Sequence, residues 1–204
     1  MAVRRHAPRI IVRLRPIGTA LVVGLSWVLA GPVPAIVPEL TPSGIQDAID
    51  TGTQAMTQED FGEDWHLRLP GGEEIVVSTP FSRLALAARL AALKGEPLTD
   101  KQRQEQIDRG KGKIQFVVTM YGRQPDFARW YQAFLRVGDK EIKATFNQNE
   151  RTPLRLEDGR FAARNVYVFP LEGVPPNGTV TLIVRNTPDQ KEMLRAPVDL
   201  SKMH

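Results

Sequence analysis

The sequence predicts an α+β fold that is mainly β, an antiparallel β-sandwich with one or two helices in its N-terminal half. The C-terminal half contains short runs of β-branched and aromatic residues. Glycine, asparagine, aspartate and proline turns separate these runs at nearly regular spacing, which is typical of a sandwich. The N-terminal half contains a segment in which apolar residues recur with helical spacing, which predicts the helical part.

The chain begins with the order of features found in a secretory signal peptide. Residues 1–15 are rich in arginine, and residues 17–30 form an uncharged apolar run. Val33 and Ala35 then supply small residues at the −3 and −1 positions of a cleavage site. A cut after Ala30 is the alternative. We therefore expect the leader to be cleaved and the protein to be extracytoplasmic, either periplasmic or secreted.

A retained membrane anchor is the rival interpretation of the same leader. A spanning helix needs about 20 apolar residues. The apolar run reaches that length only by passing through Gly31, Pro32 and Pro34, which disfavour a helix. A membrane is therefore a partner only if the leader is retained.

The distribution of charge argues against nucleic acid as a partner. The formal net charge of the whole chain is +4, with 27 basic and 23 acidic residues. The leader holds five arginines and no acid, so its removal leaves 22 basic residues against 23 acidic ones. The mature chain therefore lacks the excess of positive charge that binding to phosphate backbones requires. The chain has no cysteine, which excludes disulfides, thiolate metal ligands and cysteine nucleophiles.

The pattern divides the chain into three parts. Residues 1–35 are the signal peptide, and residues 36–64 are an N-terminal extension with a short helix. Residues 65–204 form the sandwich domain, with a helical insertion near 79–110. A hairpin at 65–78 either joins the later strands or belongs to a separate small N-terminal module.

The clearest helix begins at Thr79. This residue can cap the helix, Pro80 suits its first position, and Gly95 ends it. The polar stretch 98–113 predicts either a solvated helix or a mobile linker.

The C-terminal half contains five strand-like runs, at residues 113–121, 134–137, 141–146, 161–169 and 179–184. The first run places four apolar side chains on one face, namely Ile114, Phe116, Val118 and Met120. Asn177-Gly178 predicts a tight hairpin turn. The pattern resembles an immunoglobulin-like sandwich, but the Cys–Trp–Cys hallmark of antibody domains is absent.

No catalytic motif is evident. The chain has three histidines, and His66 alone lies neither in the leader nor at the terminus. It follows the acidic stretch 59–64, and we interpret it as a strand residue beside a solvated loop rather than as a carboxylate–imidazole site. No serine lies in a G-x-S-x-G or S-x-x-K motif. We expect a protein that is not an enzyme and that has no cofactor and no metal site.

The best candidate for a binding surface is the aromatic segment 127–134. Its candidate ligand-binding residues are Phe127, Arg129, Trp130 and Tyr131, because aromatic side chains with an adjacent arginine are enriched at interfaces. The alternative is that Phe127, Trp130 and Phe134, which have helical spacing, cover the core.

The sequence therefore predicts an exported, non-enzymatic envelope or secreted protein that binds a protein or another envelope partner. The alternative function is binding of a small ligand, a sugar or a lipid. A carboxylate-dependent hydrolase is the third hypothesis, because two facing carboxylates leave no motif in a sequence.

Overall fold

The computed structural model describes residues 36–203. The predicted signal peptide and His204 lie outside these residues. The helices are α1 (Pro42–Gln54), α2 (Pro80–Leu93) and α3 (Asp100–Gly110). The strands are β1 (His66–Arg68), β2 (Glu74–Ser78), β3 (Lys113–Gly122), β4 (Tyr131–Val137), β5 (Lys140–Lys143), β6 (Phe146–Gln148), β7 (Leu154–Arg155), β8 (Phe161–Pro170), β9 (Thr179–Asn186) and β10 (Glu192–Asp199).

The strands form two antiparallel sheets, which confirms the predicted mainly-β sandwich with N-terminal helices. The first sheet has the order β1-β2-β3-β8-β6, and the short strand β7 also pairs with β8. The second sheet has the order β10-β9-β4-β5. Buried side chains from both sheets belong to one hydrophobic cluster, so the two sheets pack face to face.

The strand order is that of an immunoglobulin-like domain. Immunoglobulin domains place strands A, B, E and D in one sheet and strands C, F and G in the other, and variable-type domains add C′ beside C. Here β2, β3, β8 and β6 take the places of A, B, E and D in the first sheet. The order β10-β9-β4-β5 in the second sheet matches G, F, C and C′. The hairpin strand β1 extends the first sheet beyond A.

Packed apolar side chains fill the space between the two sheets. In antibody domains a disulfide crosses the corresponding space. The four side chains predicted to share one face of β3 are all buried. Phe116 on β3 meets Phe169 on β8 in an edge-to-face contact with ring centroids 5.6 Å apart. Such aromatic pairs add to the stabilisation from buried area. The core therefore holds the sheets together without a covalent link.

The helices form a second, smaller core beside the sandwich. Leu40, Ala48, Leu84 and Ala85 are its buried members. Trp65 contacts both this cluster and the sandwich core. The predicted hairpin at 65–78 is confirmed, and β2 pairs with β3, so the hairpin joins the first sheet. The polar stretch after Leu98 forms the helix α3, which begins at a capping box made by Thr99 and Gln102.

The prediction of a tight hairpin at Asn177-Gly178 is wrong. Strands β8 and β9 lie in different sheets, and β9 pairs with β4 and β10 instead. Gly178 has a φ of 130°, a conformation that glycine adopts readily. Its carbonyl oxygen accepts a hydrogen bond of 2.7 Å from the amide of Leu200. The pair therefore lies at the end of a connection between the two sheets and not in a hairpin. The prediction failed because local turn chemistry does not determine which strands pair.

Candidate functional site

The segment 123–130 connects β3 in the first sheet to β4 in the second, and it divides the predicted site residues into two groups. Phe127 is half-buried and packs against the sandwich core. Its ring lies against Gly122, where any Cβ would overlap it. Tyr131 is 4% exposed, and burial raises its pKa to about 12. These two aromatic side chains contact each other edge to face within the core.

Trp130 and Arg129 make up the exposed group. The Trp130 side chain is 57% exposed, and the Arg129 guanidinium lies 5.1 Å from the centre of its ring. The backbone carbonyl of Trp130 accepts hydrogen bonds from the amide and the hydroxyl of Thr187, at 2.8 Å and 2.6 Å. The connection between β9 and β10 therefore fixes the backbone from which the indole projects.

An open groove of about 710 Å³ lies beside Trp130. One side consists of Asp126, Arg129 and Trp130, and the other is the segment 146–151. Phe146, at the start of that segment, is 50% exposed. We call this feature the Trp130 groove. Its volume lies within the range of ligand-binding pockets, about 300–1,000 Å³.

Two asparagines attach the segment 146–151 to the second sheet. Asn147 accepts a hydrogen bond of 3.1 Å from the amide of Ala133. Asn149 donates one of 2.8 Å to the carbonyl of Tyr131 and accepts one of 3.2 Å from the hydroxyl of Tyr167. Tyr167 lies on β8 in the first sheet, so Asn149 links the two sheets. Both sides of the Trp130 groove are thus fixed by hydrogen bonds, and those of the segment 146–151 are partly buried.

The Trp130 groove carries charges of both signs. Glu150 accepts hydrogen bonds from the amides of Arg151 and Thr152 at 3.0 Å and 3.1 Å. These bonds hold the pKa of Glu150 below its usual range, because they favour the ionised carboxylate. Arg129 and Arg151 supply positive charge. An exposed ring flanked by cations and a fixed carboxylate can bind a polar ligand or the side chains of a protein partner.

The sequence predicted one side of this groove and missed the other. The missed residues come after the chain has crossed from one sheet to the other, and no local motif marks them as neighbours of Trp130. They include Phe146, Gln148 and Arg151. Their proximity results from the passage of the chain from β5 in the second sheet to β6 in the first.

The histidine and the acidic stretch lie elsewhere. His66 belongs to β1, which lies at the edge of the first sheet opposite to β6. Its Nε2 atom lies 3.6 Å from a carboxylate oxygen of Glu74. Glu63 pairs instead with Arg68 at 3.0 Å. Within residues 36–203, no group of three or more metal-ligating side chains comes together.

Comparison with solved structures gives weak likenesses, two of which follow. One is to the C1 domain of an IgNAR antibody, at 15% identity and a TM-score of 0.30, covering 50% of this chain and 83% of that chain. The other is to a protein of unknown function from Burkholderia pseudomallei, at 10% identity and a TM-score of 0.37, covering 81% of this chain and 92% of that chain. No protein-family model and no curated protein matches the chain. The immunoglobulin-like description therefore rests on the strand order.

None of the helices between residues 36 and 203 has the length and apolarity needed to span a membrane.

Proposed function

We propose that the protein is an exported, non-enzymatic recognition module that binds a protein or another envelope component at the Trp130 groove. The exposed indole of Trp130 carries the proposal. Its backbone is fixed by Thr187, and its ring is held beside Arg129. Tryptophan and arginine are enriched among the residues that dominate binding energies at protein interfaces. A side chain presented in a fixed position loses little conformational entropy on binding.

Site-specific photocrosslinking in cells tests this proposal. A photoreactive amino acid replaces Gln148, which is exposed within the groove. We expect a discrete crosslinked product that disappears when Trp130→Ala is introduced into the same chain. The control position is Glu105, which is exposed on α3 and does not border the groove. Identical products from both positions, or a product that persists in Trp130→Ala, would count against the proposal.

Export is the second part of the proposal and has its own test. The arginine-rich start, the short apolar run and the small residues before position 36 support a cleaved leader. We expect the N-terminus of the protein from an extracytoplasmic cell fraction to be Ile36, or Gly31 if the alternative site is used. An intact N-terminus in the membrane fraction would instead identify the leader as an anchor.

Binding of a small ligand at the same groove is the second candidate function. The volume of about 710 Å³ and the exposed indole favour it, because a sugar ring can stack on an aromatic face. Titration of sugars and lipids would then change tryptophan fluorescence, and Trp130→Phe would remove the change. A response that survives this substitution would come from Trp65 or from the leader and would contradict binding at the groove.

A further inference from the structure

A second cavity lies on the outer face of the first sheet, where the start of α2 and the end of α3 meet it. Its volume is about 480 Å³. Ser78, Gln115 and Val168 lie side by side on β2, β3 and β8 and form part of its wall. Three basic side chains also line the cavity, namely Arg83 on α2, Arg109 on α3 and Lys113 at the start of β3. Gly110, Thr145 and Phe146 complete the lining. We call this feature the cationic cavity.

The cationic cavity contains positive charge that nothing in the described structure neutralises. Three basic side chains line it and no acidic side chain does. Within residues 36–203, neither Arg83, Arg109 nor Lys113 belongs to any of the ion pairs. Arg83 donates a single hydrogen bond of 3.1 Å, to the uncharged side-chain oxygen of Gln115.

The partial burial of Arg83 makes the cluster of three basic side chains unfavourable unless a negative charge lies nearby. Its side chain is only partly exposed, and burial together with the charge of Arg109 lowers its pKa. The helices hold the two arginines near each other, because Gly110 packs closely against Pro80 and the Arg83 side chain. Removing part of a guanidinium from water costs free energy, and an anion that pairs with it offsets that cost. The cavity therefore favours a negatively charged ligand.

We propose that the cationic cavity binds a phosphate group, held by Arg83, Arg109 and Lys113. A guanidinium matches phosphate with two parallel N–H···O bonds, and an ammonium adds a compact charge. The charged terminal oxygens of a phosphate group, which a phosphate monoester and a phospholipid phosphodiester both carry, can accept from several of these cations at once. Free phosphate esters and phospholipid headgroups share this chemistry. The proposal does not depend on the proposed function, since Phe146 borders both cavities but neither Trp130 nor Arg129 lines this one.

Isothermal titration calorimetry of the purified protein with inorganic phosphate tests the proposal. Direct binding must be measured, because phosphate salts also stabilise proteins without binding to a specific site. We expect saturable binding that weakens about tenfold or more in Arg109→Gln and in Arg83→Gln, because each loses charge-assisted hydrogen bonds. The matched control is Arg123→Gln, which removes an exposed arginine outside the cavity and should bind phosphate as the parent does.

Vesicles distinguish the two sources of the phosphate group. Binding to phosphatidylcholine vesicles that contain phosphatidylglycerol, and not to phosphatidylcholine alone, would identify a lipid headgroup if Arg109→Gln abolishes it. Binding of inorganic phosphate alone would identify a soluble ligand. If Arg83→Gln fails to fold, Arg109→Gln and Lys113→Gln decide, because both side chains are exposed. Undetectable binding of both probes at millimolar phosphate, or equal binding by the parent and the cavity variants, would overturn the proposal.

Discussion

Gly52 on α1 lies directly against the backbone of α2. A Cβ at this position would overlap the backbone carbonyl oxygen of Ala85, and a backbone atom cannot move aside without shifting the helix. We expect Gly52→Ala to lower the free energy of unfolding by about 1–3 kcal/mol, as over-packing of a core does. Urea denaturation measures the change.

Gly44 provides the matched control in the same helix. A Cβ there would make ordinary contacts with Thr41 and Leu40, and alanine favours helix over glycine by up to about 1 kcal/mol. Gly44→Ala should therefore leave stability unchanged or raise it. Equal effects of the two substitutions would show that helix propensity, and not the close approach, determines the role of Gly52.

Glu141 forms ion pairs with two arginines on the outer face of the second sheet. Arg185 binds both of its carboxylate oxygens, at 2.8 Å and 2.7 Å, and Arg136 adds a contact of 2.6 Å. Hydrogen bonds from the two arginines, Arg185 foremost, lower the pKa of Glu141 from 4.5 to about 2. A lowered pKa means that the ion pairs stabilise the fold above the unfolded-state pKa and are lost as the pH falls towards 2.

We expect Glu141→Gln to lower the free energy of unfolding near neutral pH by about 1 kcal/mol, since solvent screens this surface cluster. The difference from the parent should shrink between pH 4.5 and pH 2. Denaturation at several pH values measures it. Glu172→Gln removes an exposed carboxylate and is the control. A difference for Glu141→Gln that is the same at all pH values would exclude the ion pairs as its cause.

At the scale of single residues, the sequence predicted the aromatic segment but not the division of roles within it. Its helical spacing left open whether Phe127, Trp130 and Phe134 cover the core. The segment instead turns and enters β4 at Tyr131, so alternate residues point inward from that residue on. The division depends on where the strand begins, and local sequence patterns do not determine such boundaries to the residue.

Among the elements, α2 depends on a capping box that is buried. The hydroxyl of Thr79 accepts a hydrogen bond of 3.0 Å from the amide of Ser82, whose own hydroxyl accepts one of 2.8 Å from the amide of Thr79. We expect Thr79→Ala to lower the free energy of unfolding by up to about 2 kcal/mol, because water does not reach the amide that loses its partner. Urea denaturation measures the loss.

The helix α3 offers the same motif on the surface. Thr99 caps the amide of Gln102, but both residues are exposed. Thr99→Ala should therefore cost less than Thr79→Ala, because water can replace the hydroxyl. A larger loss at Thr99 would contradict burial as the reason for the difference.

The elements that the sequence predicted are those whose signals are local. The cap and first turn of α2 and the alternation along β3 each lie within about ten residues of chain. Strands β6 and β7 have three and two residues, too few for a period to be recognised. They form strands because they pair with β8. Since β8 comes later in the chain, the sequence of β6 and β7 alone does not reveal this pairing.

At the scale of the whole molecule, hairpin signals identify neighbouring strands within one sheet but not crossings between sheets. The Asn177-Gly178 turn illustrates this limit, since it connects strands of different sheets. Both cavities arise at such long-range junctions. Trp130 and Gln148 line the same groove because the chain crosses from β5 to β6. Arg83 and Lys113 line the same cavity because α2 and α3 fold back on the first sheet. Neither proximity follows from a local pattern.

Asn149, like Asn147, forms hydrogen bonds that link the two sheets beside the Trp130 groove. It bonds to the Tyr131 carbonyl in one sheet and to the Tyr167 hydroxyl in the other. Burial raises the pKa of Tyr167, so the hydroxyl stays protonated and donates. We expect Asn149→Ala to lower the free energy of unfolding by about 1–3 kcal/mol, because it leaves both partners unsatisfied.

A double-mutant cycle with Tyr167→Phe separates this link from the other contacts of Asn149. Once the hydroxyl is absent, Asn149→Ala should cost less by about 0.5 kcal/mol or more, which is the coupling expected between bonded residues. Strictly additive costs would mean that the two side chains do not act together. Because Asn149 also borders the groove, its loss should weaken the Gln148 crosslink even where Trp130 is intact, and a crosslink that stays at full strength would mean that the sheet-to-sheet link is not needed to position the groove.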